Sequence, residues 1–180
     1  MKNRNEGLAD HWQTPPDFKK KIREKLGGEY FDPCPINHDI SLWDGLLIPW
    51  YPLNYINPPY SLGLKTDFVK KGIAEKQLGN TSIFLIPVST STKLYHDFIK
   101  PNMDEQEFLR GRLPFIGIND KGQYVNYHLL QEIDKNEMIP YMSGLDKDGK
   151  EVWKEIKKYV RNSGQHDSML ITFRGDGILF

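Results

Sequence analysis

Leu53-Asn54-Tyr55-Ile56-Asn57-Pro58-Pro59-Tyr60 is the stretch from which the fold of this chain can be read. Leu53 to Ile56 is largely apolar and β-prone, and the two prolines that follow end any strand abruptly. Asn57 is therefore expected at the C-terminal edge of a strand, where open α/β sheets place their ligands. Consecutive prolines lock φ and remove two N–H donors, so nearby carbonyls can face a site without a backbone partner. The Asn57 side-chain oxygen and such a carbonyl form two acceptors suited to an NH₂ group, and Tyr60 adds a flat face for a planar ring. The plainer reading of the same residues is a tight proline turn closing an edge strand.

On both sides of this stretch, helical and strand-like patterns alternate. Upstream, Asp17 to Leu26 sets Phe18, Ile22 and Leu26 at helical spacing between Pro15-Pro16 and Gly27-Gly28, with a basic outer face. Glu29 to Asp32 reads as a strand entering Pro33-Cys34-Pro35, and residues 36–52, dense in Pro, Asn, Asp and Trp, as a loop wrapping a site. Downstream, Leu64 to Gln77 is a second amphipathic helix on Leu64, Phe68 and Ile73. Thr81 to Val88 is a strand buried on both faces, and Thr92 to Lys100 a helix on Leu94, Tyr95, Phe98 and Ile99. Glu107 to Ile118 holds two strand-like pieces broken near Gly111 and Pro114, and Ser168 to Phe173 is a final buried strand. This alternation predicts one α/β domain over residues 1–180 with a mostly parallel, doubly wound sheet. Residues 119–167, polar and rich in Gly, Lys and Tyr, are expected to be an insertion before the last strand, with a helix over Lys150 to Val160.

Bulk properties narrow the partners. A length of 180 residues suits one domain with a real core, and 24 Lys+Arg balance 24 Asp+Glu, so no global basic field favours sequence-blind nucleic-acid binding. The single cysteine, Cys34, excludes an internal disulfide and a cysteine-rich zinc site, and no metal is expected. No apolar run has the length of a membrane span and the N-terminus carries no apolar signal core, so a cytoplasmic location is expected.

Asn57-Pro58-Pro59-Tyr60 resembles the Asn/Asp-Pro-Pro-aromatic motif of enzymes that methylate exocyclic or amide nitrogens. Six further blocks occur in order with it: Trp12-Gln-Thr14-Pro15, Phe31-Asp32-Pro33, Asp44-Gly45-Leu46 followed by Trp50, Leu85-Ile-Pro87 with Thr90 and Thr92, Gly111-Arg112-Leu-Pro-Phe115, and Met169 to Phe173. Together they are similar to the phage-encoded DNA N6-adenine methyltransferase family, a compact branch of the class I, Rossmann-like methyltransferases. The resemblance implies S-adenosylmethionine as methyl donor, a flipped-out adenine of double-stranded DNA as acceptor, and a phage- or prophage-encoded protein acting in a host cytoplasm. It assigns Asn57, Pro58, Pro59 and Tyr60 to catalysis. Asp32, with Pro33 and Cys34 beside it, matches the donor-binding motif, Trp12, Thr14 and Pro15 the block closing over the methionine end of the donor, and Asp44 the acidic residue near the donor's adenine. Thr90, Thr92 and Arg112 are candidate DNA contacts.

The chain also departs from the wider class. Pro33-Cys34-Pro35 stands where a glycine-rich turn is usual, and only 12 positions (44 − 32) separate Asp32 from Asp44. A sheet trimmed on the donor side is expected, with Asp39 the nearest candidate for the donor's ribose. Beside these roles stand plainer ones: Asp32 capping its own turn, Thr92 capping the helix that follows, Cys34 packed at a strand end, and Trp12, Trp43 and Trp50 covering the core. The motif alone also serves cytosine-N4, RNA or protein-glutamine methylation, and a domain that binds donor or DNA without reacting is the non-enzymatic alternative. Residues 119–167 are then a DNA-recognition element or a dimer contact, and the chain a monomer or a homodimer.

Overall fold

In the computed structural model, which describes residues 14–35, 38–60, 63–113, 115, 138–145, 147–157 and 166–176, the first element is helix α1, Pro16–Leu26. Pro16 loses no hydrogen bond in the first turn, and the helix stops at Gly27, whose φ of 78° lies in the left-handed region. The N–H of Gly27 donates to Glu24 O and that of Gly28 to Arg23 O (3.3 and 3.1 Å), closing the last turn. Strand β1, Leu53–Ile56, is followed by helix α2, Leu64–Gln77, and strand β2, Thr81–Pro87, and β1 and β2 pair in parallel with Ile56 beside Phe84. A helical segment, Leu94–Ile99, runs into the short turn α3, Lys100–Asn102, and then come β3, Glu105–Phe108, β4, Met138–Leu145, β5, Glu151–Lys157, and β6, Ser168–Phe173.

The main sheet has the order β1-β2-β6-β3, with β6 antiparallel to both neighbours. Alternation along the strands sorts side chains onto two faces. Ile56, Phe84, Ile86, Met169, Ile171 and Phe173 meet α2 and the 94–99 segment on one face, together with Trp50. Tyr55, Ile83, Leu85 and Leu170 meet Ile22 of α1 and Phe115 on the other. All six residues of β6 are buried, as its apolar run predicts, and each large apolar side chain there contributes about 1.5–3 kcal/mol. α2 approaches β2 closely because residue 72 is glycine, whose added Cβ would lie 2.5 Å from the Phe84 ring.

Several expectations need correction. The sheet is not mostly parallel: of its three strand pairs only β1–β2 is, since β6 inserts antiparallel between β2 and β3. The strand expected over Glu29 to Asp32 is reduced to a single parallel bridge between Phe31 and Asn54. Phe31 N–H donates to Leu53 O and Phe31 O accepts from Tyr55 N–H (2.9 and 3.0 Å). The next donor in a parallel ladder would be residue 33, a proline without an N–H, so pairing stops. The helix expected from Lys150 is instead β5, paired antiparallel with β4. Asp148-Gly149 makes the reversal, with Gly149 at φ 77°, and this dipeptide is a hairpin signal that outweighs the weak helical periodicity.

Smaller differences follow packing. α2 has the expected bounds but buries Phe68, Val69, Gly72 and Glu75, with Leu64 only half-buried. The helix after Thr92 is π-widened over Leu94–Ile99, and the Lys100 N–H reaches back to Tyr95 O. Pro101 accounts for the widening, because it has no N–H for an α bond to Asp97. One strand, β3, stands where two pieces are expected over Glu107 to Ile118; Pro114 and residues 116–118 lie outside the described residues. Residues 38–52 are turns and loop, as expected.

Candidate active site

Three strands and the Phe31 bridge point the same way, so the segments leaving them emerge at one edge of the sheet. After Phe31 comes Asp32-Pro33-Cys34, after Ile56 comes Asn57–Tyr60, after Pro87 comes Val88–Thr92, and after Phe108 comes Leu109–Arg112. The start of β6 ties the last two together: Val88 N–H donates to Asp167 O (2.9 Å) and Leu109 N–H to Ser168 O (3.0 Å). Blocks far apart in sequence thus share one rim.

β1 is fixed at its base by Asn54, fully buried, whose side chain accepts from Tyr51 N–H (3.1 Å) and donates to Thr81 O (3.0 Å). At its tip, Pro58 and Pro59 are buried while Asn57 and Tyr60 stay partly open. The Tyr60 hydroxyl donates to Asn57 Oδ1 at 3.1 Å. The backbone carbonyl of Asn57 accepts from the Cys34 thiol at 3.5 Å. Cys34 therefore packs at the strand end as expected, and it also joins two of the motifs.

Asp32 caps its own turn, its Oδ1 accepting the Cys34 N–H at 3.0 Å. Burial pushes its carboxyl above the ordinary value, and that N–H together with Lys19 offsets only part of the rise. The segment Asp44-Gly45-Leu46 lies against the same turn. A Cβ on Gly45 would sit 1.8 Å from Pro33 O, so only glycine allows the approach. Trp50, 4% exposed, donates its ring N–H to Gly45 O at 2.6 Å and its backbone N–H to Glu75 Oε1 at 3.3 Å. Asp44 accepts the Leu46 N–H (2.9 Å), and Asp39 accepts from both the N–H and the hydroxyl of Ser41 (3.0 and 2.8 Å). Phe31 packs on Trp43 and Tyr51, with ring centroids 5.6 and 4.8 Å apart, and His38 lies on Trp43 at 3.7 Å. Trp50 thus belongs to the core, and Trp43 to an aromatic group beside Asp32.

The remaining candidates divide. Thr14 and Pro15 are buried, and the Thr14 hydroxyl pairs with the Tyr55 hydroxyl at 2.8 Å, two residues before Asn57. Trp12 lies outside the described residues. Thr92 caps the helical segment, its Oγ1 accepting the Tyr95 N–H at 3.3 Å and donating to Ser89 O at 2.8 Å. Thr90 is half-exposed in the turn just before. Arg112 is exposed and faces Asp167 at 3.6 Å. Among the described residues, no group of His, Cys, Asp and Glu is placed to hold a metal ion, and no helix is long and apolar enough to cross a membrane.

Sequence reading named Gly45 only as part of the Asp44-Gly45-Leu46 block, with no role of its own, and did not single out Glu75. The fully buried Glu75 carboxylate receives Trp50 N–H, Asn80 Nδ2 (2.7 Å) and Lys71 Nζ (2.7 Å), fixing the segment that carries Gly45. Its only local signal is the Lys71–Glu75 spacing, which by itself describes an ordinary surface pair. The model of one protein family, DNA N-6-adenine-methyltransferase (Dam), matches residues 2–143, a span that takes in every block at this rim except the start of β6. No curated protein and no solved structure matches the chain.

Proposed function

Because this chain belongs to the DNA N-6-adenine-methyltransferase (Dam) family and is thus an enzyme that methylates adenine N6 in DNA, we propose that the rim carrying Asn57–Tyr60 is its active site and S-adenosylmethionine its donor. The observation that carries this reading is the junction at Cys34, which brings the Asp32 turn against the Asn57 carbonyl. The architecture we infer is a trimmed Rossmann-like class I sheet. The parallel β1–β2 pair, the parallel bridge at Phe31 and helices packed on both faces support it.

The donor side fits a cation. Asp32 is a half-buried carboxylate whose charge its surroundings offset only in part, and S-adenosylmethionine carries a sulfonium and an ammonium. Asp32 would hold the donor from the rim, with Asp44 and the Trp43 ring beside it and Thr14 and Pro15 bracing β1 from the opposite face. When bound, the donor supplies an electrophilic methyl and a neutral thioether leaving group.

On the acceptor side, adenine N6 is a poor nucleophile because its lone pair is delocalised into the ring. Accepting both amine hydrogens, at Asn57 Oδ1 and the Pro58 carbonyl, localises that pair and aims it. Asn57 Oδ1 is an acceptor with two lone pairs, and the Tyr60 hydroxyl donates to it. The Tyr60 ring supplies the stacking face, and turning the base out of the duplex costs about a few kcal/mol. Orientation then contributes most of the acceleration, and the N6 proton leaves to solvent.

For DNA itself, Arg112 would exchange its long contact with Asp167 for a phosphate. The β4–β5 ribbon within the 119–167 insertion would read sequence, since a two-stranded ribbon fits the major groove and Lys147 and Lys150 lie exposed near its turn. A phage or prophage origin and action in a host cytoplasm belong to the same reading. The test is Asn57→Ala: methylation should fall below detection while calorimetric affinity for S-adenosylmethionine stays within about twofold, because an amide-to-methyl change beyond the donor contacts leaves them intact. Retained adenine methylation by that variant would overturn the site. Base-resolved sequencing of DNA from expressing cells then reports the target context.

A further inference from the structure

The geometry points to the Pro33-Cys34 turn as a positioning element shared by the two halves of the site, clamped by Gly45 on one side and joined to the Asn57 carbonyl through the Cys34 thiol on the other. The inference rests on the active-site assignment above and adds a mechanical link between donor and acceptor.

Both partners of the thiol are stiff. Cys34 stands between Pro33 and Pro35, and Asn57 precedes Pro58-Pro59, so each segment has few soft dihedrals. Fixing the direction of the Asn57 carbonyl fixes the Asn57–Pro58 peptide plane. The locked φ of Pro58 then leaves only its ψ to decide where the Pro58 carbonyl points. A modest hydrogen bond at 3.5 Å thereby steers the acceptor that the target amine needs. On the opposite side, the Gly45 backbone fills the space beside Pro33 O, and Trp50 holds Gly45 from behind at 2.6 Å. Moving the Asp44 segment therefore moves Pro33, and with it Cys34.

The experiment compares Cys34→Ala, Cys34→Ser, Gly45→Ala and the Cys34→Ala/Gly45→Ala pair in the full chain, measuring calorimetric affinity for S-adenosylmethionine and the single-turnover methylation rate on duplex DNA. Cys34→Ala keeps the backbone N–H that serves Asp32, so donor Kd should stay within about twofold while the rate drops about tenfold. Cys34→Ser should recover part of that rate, because a hydroxyl donates but reaches less far. Gly45→Ala should weaken donor binding at least about tenfold and also slow transfer at saturating donor. The pair should be no slower than Gly45→Ala alone, because both act through one turn. Multiplying rate losses in the pair, or wild-type transfer by Cys34→Ala, would overturn the inference. If Gly45→Ala does not fold, the Ala and Ser variants at position 34 decide it. Failure of the underlying assignment would look different: the wild-type chain itself would not bind the donor.

Discussion

Replacing Asp32 with Asn should weaken donor binding and stabilise the free protein at the same time, two effects of opposite sign from one charge. Asn keeps the size of the side chain and an oxygen to accept the Cys34 N–H, so the turn survives. What disappears is a half-buried negative charge whose carboxyl is held above its ordinary value of 3.8 by burial, against the Cys34 N–H and Lys19. For a raised acid the sign is fixed. The favourable contribution is whole below the unfolded value and is lost as pH rises through the folded one, so at neutral pH the ionised group destabilises the fold. The Asn variant escapes that loss. Its melting temperature should exceed that of the wild type at pH 7, each ~1 kcal/mol showing as about 2–4 °C in a chain of this length. The difference should shrink as pH falls toward 4. Donor binding should move the other way: a hydrogen bond to a charged group contributes about 1.5–3 kcal/mol, or roughly ten- to 150-fold in Kd. Thermal unfolding across pH and calorimetry with S-adenosylmethionine measure both. A variant that melts lower than the wild type while binding the donor normally would refute the assignment of Asp32 as the donor's carboxylate.

Glu75→Gln should lower the melting temperature by about 5–10 °C, since losing the charge leaves Lys71 and two N–H donors poorly served, at about 2–3 kcal/mol. Burial alone would raise this carboxyl, but Lys71, Asn80 and the Trp50 N–H pull it below 4.5. Its contribution is therefore present above that value and lost as pH falls through the folded one, so the gap between variant and wild type should close in acid; a constant gap from pH 7 to 3 would contradict the ion-pair account. Replacing Lys147 and Lys150 with Ala should flatten the dependence of log affinity for duplex DNA on log salt by up to about 1.8, roughly 0.9 for each phosphate no longer neutralised. Unchanged salt dependence in a filter-binding or anisotropy titration would remove the β4–β5 ribbon from the DNA interface.

Much of this was legible locally. The bounds of α1, α2 and β6, and the end of β1 just before Asn57, follow from apolar spacing and from Pro and Gly at the boundaries, which act within a few residues. Motif residues could be named for the same reason: Asn, Pro and Tyr in that order carry their chemistry with them. Misreadings arose where a local pattern was outvoted. The Val152, Trp153 and Ile156 stretch suits helix or strand by spacing, and the Asp148-Gly149 turn with a partner at Met138–Leu145 decides for strand. Phe31 starts a strand that Pro33 cuts short, a loss visible only once its neighbour is β1.

The sequence by itself determined the chemistry available to this protein, because hydrogen-bonding capacity, aromatic faces and proline stiffness are properties of single residues. Only the tertiary structure decided how those groups meet. That β6 inserts antiparallel, that Gly45 lies against Pro33, and that the Cys34 thiol reaches Asn57 all depend on pairings across 12 to more than 80 positions. Such contacts are chosen by the packing of two sheet faces at once, and no local window of the chain contains both partners.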